Sequence, residues 1–100
     1  MTPPITIRHS TAADRDRVLE LAQLDERPAP VGDALLAEVD GRLWAAVGID
    51  DGGAVSDPFE PTEEIVLLLQ MRAEQERVMR APGPPLGRLM AVRRRAGAIA

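Results

Sequence analysis

Residues 57–64, DPFEPTEE, bring Asp57, Glu60, Glu63 and Glu64 into one short stretch. Carboxylates so grouped could hold a calcium or magnesium ion, or activate a nucleophile. Neither use is supported by what surrounds them. No basic partner or second ligand cluster accompanies the run, and the acidic pairs of the chain do not reproduce an EF-hand loop. Their spacing suits a turn cap at Asp57 followed by solvated acids in the first turn of a helix, where the positive end of the helix favours them. His9 is the only histidine and there is no cysteine, which removes disulfides, thiol chemistry and most zinc sites. A general-base role for His9 needs an oriented acid and a nearby nucleophile, and the spacing supplies neither. His9 is expected as a surface residue at a strand end. No catalytic, cofactor-binding or metal-ligating residue emerges.

The other charged feature lies at the far end. All 12 basic residues are arginine, and Arg88, Arg93, Arg94 and Arg95 stand in a Pro/Gly-rich tail, 81–100, that contains no acid. Such a segment is expected as a flexible end. The sharper alternative is a short basic stretch touching an acidic partner or a membrane surface, but Leu89, Met90 and Val92 are too few for insertion. Nucleic acid is disfavoured: the net charge is −4, and the arginines have no aromatic stacking platform beside them. The longest apolar run, IVLLL at 65–69, is far short of a membrane span, and MTPPITIRHS lacks the apolar core of a cleavable signal. A cytoplasmic protein is the expectation.

These groups must be positioned by one domain, since 100 residues with 45% hydrophobic and 28% charged content leave no room for a second core. ITIR at 5–8 predicts a first strand. TAAD at 11–14 is a capping-box pattern, Thr11 as N-cap and Asp14 able to reach back to its amide. It opens a helix over about 12–25 with Val18, Leu21 and Ala22 on one face, and Leu24 at its margin. ERPAPVGD breaks that helix, and solvation accounts for Asp25, Glu26 and Arg27 at its exit. ALLAEVDGRLWAAVGI, 34–49, predicts a hairpin: two apolar segments flank Asp40-Gly41, a pair that tolerates positive φ. Alternation sends Leu35, Ala37 and Val39 to one face, and after the turn Leu43, Ala45, Val47 and Ile49, with Trp44 opposite. Glu38 and Arg42 are spaced to pair across the turn. AVS at 54–56 predicts a short last strand, ended by Asp57-Pro58. Thr62 is placed to cap a helix that runs to about Met79, where APGPP stops it. Phe59, between two prolines, is expected to close the loop over the core, with a docking aromatic as the alternative.

In this order the pieces resemble the N-terminal half of a GCN5-related N-acetyltransferase (GNAT), the acyl-CoA N-acyltransferase fold. ITIRHSTAADRDRVLELA is similar to the opening strand and first helix of that family, with its Ile-Arg-x-x-x-x-x-Asp pattern. LLAEVDGRLWAAVGI is similar to its second and third strands around Asp-Gly. The resemblance covers residues 4–56. It implies an α+β fold: an abbreviated, mostly antiparallel sheet of about four strands with two principal helices, domain 1–80 preceding the tail 81–100. It also implies where function departs. An active member follows its fourth strand with a glycine-containing Arg/Gln-x-x-Gly-x-Gly/Ala loop whose amides bind the coenzyme A pyrophosphate. Here that loop is Asp57–Glu64, without glycine, with two amides lost to proline and with carboxylates facing a would-be polyphosphate. The later strands and a tyrosine acid of the family have no counterpart either. No cofactor is therefore expected.

The second helix carries the main functional clue. At 100° per residue Ile65, Leu68, Leu69 and Ala73 form one apolar face, with Val66 beside it. Leu67, Met71 and Val78 form a second, nearly opposite, and Gln70, Glu74 and Arg77 leave a narrow polar wedge. A helix covering one sheet needs one apolar stripe. The second predicts a partner, most economically another copy in a C2 homodimer through the 62–79 helix, the alternative being that the C-terminal segment folds back over it. The candidate interface residues are Leu67, Met71, Val78 and Trp44, the tryptophan suiting packing under a helix as well as an interface. Two functions follow. One is a non-catalytic acetyltransferase-like module for dimerisation or for binding another protein. The alternative is an N-acetyltransferase using acetyl-CoA, its site completed by a partner or by the dimer.

Overall fold

The computed structural model describes residues 4–80; the tail expectations for 81–100 lie outside them. Strand β1 (Ile5–His9) leads into a 3-10 turn (Ala12–Asp14) and helix α1 (Arg15–Asp25), followed by β2 (Ala34–Val39), β3 (Arg42–Gly48), β4 (Ala54–Ser56) and helix α2 (Glu63–Arg80). The four strands form one sheet in the order β1-β2-β3-β4, every neighbouring pair antiparallel. The α+β architecture expected from the periodicities is the one observed. Among the described residues no helix is long and apolar enough to cross a membrane.

Local chemistry explains the connections. Asp40 and Gly41 both have positive φ, 52° and 78°, as a two-residue hairpin turn requires. Asp14 accepts the Thr11 amide at 2.8 Å, the return half of the expected capping box. The chain starts its helix there as a 3-10 turn and widens to α geometry at Arg15.

Each face of the sheet is covered by one helix. On one side Val18, Leu21 and Ala22 of α1 share a core with Ala34, Leu36, Ala46 and Val55. On the other, Ile65, Leu69 and Ala73 of α2 share a core with Leu35, Ala37, Ala45, Val47 and Ile49. Burial on both faces is why β2 and β3 read as nearly continuous apolar runs rather than clean alternations.

The hairpin register shifts between Ala37, opposite Ala45, and Glu38, opposite Leu43. Trp44 is the extra residue, a β-bulge that reverses the facing of the strand beyond it. The expected alternation is therefore corrected: Leu43 packs on the α1 side, and Trp44 joins Ala45 on the α2 side. The expected Glu38–Arg42 pair across the turn is also absent among the described contacts. Glu38 is taken by Arg8 and Arg17, and Arg42 turns to Asp57 and Glu60.

Candidate interaction surface

On α2 the buried residues are Ile65, Leu69 and Ala73, spaced i, i+4, i+8 along a single stripe. Leu67 is 60% exposed, Met71 61% and Val78 50%, so three of the four sequence-selected residues stand together on the outer side. Leu68, expected on the inner face, is exposed at 44%, and Met79 is exposed too. At 100° per residue all five fall within an arc of roughly 120°. Leu68 sits at the margin between the two stripes. The sheet is met by Ile65, Leu69 and Ala73, and Leu68 lies about 100° around the helix from the middle of that stripe, so it faces outward.

Trp44 is not brought to this surface. It lies half-buried on the sheet beneath the α2-side core, at the wall of a cavity of about 820 Å³ also lined by Ile5, Val39, Pro61, Glu64 and Ile65. Its Nε1 is buried without an acceptor among the described residues. The bulge brings it there, and one-residue bulges leave no mark in an apolar run.

The carboxylates of 57–64 border the same cavity, and their use is internal. Asp57 is buried; its Oδ1 accepts the Phe59 amide at 2.8 Å, and its own amide donates to the Trp44 carbonyl at 2.8 Å. The turn cap is thus as expected, but the absence of a basic partner is corrected: Arg42 stands 3.8 Å from Asp57 and 3.5 Å from Glu60. Phe59 does not close over the core. It is 80% exposed, because Asp57 and the two prolines hold the turn without it. Thr62 is buried, and its carbonyl accepts the Val66 amide at 2.8 Å, opening α2. Among the described residues no group of three or more His, Asp or Glu side chains comes together to hold a metal ion.

The strongest charge cluster lies elsewhere. Arg8, on β1, forms a fork on buried Asp14, 2.7 and 2.8 Å, and its Nε reaches Glu38 at 2.8 Å. Arg17 of α1 joins from above, 2.9 Å from Glu38 and 3.2 Å from the Gly41 carbonyl. The Arg8 fork and the Thr11 amide hold the Asp14 carboxyl well below its usual range, and Arg8 and Arg17 lower that of Glu38. Bidentate, charge-assisted bonds of this kind fix orientation. They tie β1, β2, the hairpin turn and α1 together. The Ile-Arg-x-x-x-x-x-Asp spacing was visible in the sequence, and the lone acid in ALLAEV was the one signal for Glu38.

Two further acids are engaged rather than merely solvated. Asp25 accepts the outward amide of Ser56 at 3.0 Å, covering part of the β4 edge that would otherwise invite another strand. His9, at the end of β1, meets Glu76 of α2 at 2.7 and 2.9 Å, its side chain 55% exposed. This is the surface position expected of it, with a helix acid as partner. Searches for a matching family model, a similar curated protein or a similar solved structure returned no match.

Proposed function

We propose that this chain is a non-catalytic, acetyltransferase-like module that works by association, forming a homodimer through the outer face of α2. The observation that carries the reading is the surplus stripe: Leu67, Leu68, Met71, Val78 and Met79 are exposed on one side of a helix whose other side already covers the sheet. Contiguous apolar surface of this kind marks an interaction site on a small acidic protein. Full burial of each such side chain would contribute roughly 1.5–3 kcal/mol before association costs. A second copy offers an identical stripe, and C2 pairing is the commonest closed arrangement.

The loop chemistry supports the non-catalytic half of the proposal. Asp57 and Glu60 are committed to the turn and to Arg42, and the cavity at the start of α2 is bordered by carboxylates, which oppose a pyrophosphate. The cavity is the one feature favouring the alternative, an acetyl-CoA-dependent N-acetyltransferase completed by a partner. Calorimetry with acetyl-CoA separates the two: the association reading expects no heat of binding, and stoichiometric micromolar binding would overturn it.

Sedimentation over a broad concentration range tests the dimer. The wild-type chain is expected to associate, and L67D/M71D to sediment as a folded monomer. Both positions are mostly exposed, so the pair should fold with a cost of about 1 kcal/mol in helix propensity. A wild-type monomer at every concentration would remove the reading.

A further inference from the structure

Resting on the homodimer proposed above, we infer that the two α2 helices pair antiparallel about a two-fold axis close to Leu68, with Glu64 of each copy meeting Arg72 of the other. The charges on α2 divide into those the domain uses and those it does not. Arg77 donates to the Ile49 carbonyl at 2.7 Å, Arg80 lies 3.3 Å from Asp33, and Glu76 holds His9. Glu63, Glu74, Glu64 and Arg72 are exposed with no ion-pair partner among the described residues, and of these only Glu64 and Arg72 stand symmetrically about Leu68.

They cannot serve one another within a chain. Eight residues of α-helix separate them by about 12 Å along the axis. In an antiparallel pair centred on Leu68, residue 64 of one helix stands level with residue 72 of the other, and the symmetry makes the contact twice. Leu68 then lies at the axis with Met71 beside it and Leu67 on the flank, and the two Glu64–Arg72 contacts close the seam above and below. Val78 projects past the first turn of the second helix, toward the loop carrying exposed Phe59.

Parallel pairing is disfavoured by the same charges. It would set Glu63 and Glu64 beside their own copies and align the helix dipoles side by side, whereas the antiparallel arrangement opposes acidic first turns to basic later ones. The occupant of the stripe is a second copy because the charges on this face complement themselves.

Charge reversal in the full chain tests the register separately from the dimer. By symmetry, Glu64→Arg or Arg72→Glu turns two attractive contacts repulsive, and each is expected to weaken self-association roughly tenfold. Mixing the two single variants restores both pairs in a heterodimer: Arg at 64 meets Glu at 72, and the native Glu64 meets the native Arg72. The equimolar mixture, and the E64R/R72E double variant alone, should therefore regain wild-type affinity by sedimentation. That recovery would also show that both single variants are folded. A wild-type dimer whose single variants are not rescued by mixing would overturn this register while leaving the dimer standing. A wild-type monomer at all concentrations would overturn both.

Discussion

The two helices cover opposite faces of one sheet by different means. Helix α1 buries Val18, Leu21 and Ala22 and is then clamped at its start by Arg8, Asp14, Arg17 and Glu38. Helix α2 is longer, buries Ile65, Leu69 and Ala73, and carries a second set of large apolar residues on its far side. The Arg8, Asp14, Arg17 and Glu38 cluster on the α1 side is used within the domain and orients its parts. Apolar surface on the α2 side exceeds what the described residues cover. The difference teaches where to look for function: the arginine–carboxylate cluster is engaged inside the domain, and the apolar surplus is the feature that faces outward.

The largest effect should separate the two sides of α2. Leu69 is completely buried, and Leu69→Ala is expected to cost about 2–5 kcal/mol in urea unfolding, through lost transfer energy and a residual cavity. Leu67→Ala, at a position of similar chemistry but opposite facing, should change the unfolding energy of the dilute monomer by less than about 0.5 kcal/mol. Equal costs at the two positions would erase the distinction between an inner and an outer face.

The next effect sharpens the reading of the α1 clamp. Asp14 and Glu38 have folded pKa values below their ordinary 3.8 and 4.5, with hydrogen bonds from Arg8 the first cause in each case. Groups depressed in the folded state contribute stability that is present above the ordinary carboxylate range and lost progressively as pH falls from there toward the lower folded value. Thermal melts between about pH 3 and pH 7 should therefore show the wild type losing stability steeply below pH 4.5. Arg8→Met should lower the melting temperature at pH 7 and flatten that acid limb. An unchanged limb in Arg8→Met would mean that the fork on Asp14 does not couple folding to protonation.

The smallest effect concerns Trp44, which belongs to the α2 side yet holds a buried donor without an acceptor among the described residues. Removing an unsatisfied group offsets part of the packing it takes with it. Trp44→Phe is expected to shift stability by less than about 1 kcal/mol, by chemical denaturation, and to leave self-association unchanged. A large drop in association would place Trp44 at the interface after all.

Short-range chemistry made much of this molecule legible from its residues in order. The capping pattern at Thr11 and Asp14, the Asp40-Gly41 turn and the 3.6-residue spacing of Ile65, Leu69 and Ala73 are each decided by neighbours within a few positions, and the structure has them as read. The surplus stripe at Leu67, Met71 and Val78 was legible for the same reason, since helical periodicity determines which residues share a side.

Tertiary structure decided what depends on distant partners. Trp44 and Leu43 exchanged faces because one extra residue entered β3, and only the pairing with β2 reveals a bulge. Glu38 chose Arg8, thirty positions away, over nearby Arg42, because β1 lies beside β2 and brings the Arg8 Nε to it while the fork of the same side chain is held on Asp14. Leu68 turned outward because the sheet takes the stripe centred on Leu69, about 100° around the helix from it. Periodicity names the sides of an element; packing against the rest of the chain decides how wide each side is and which charges it brings within reach.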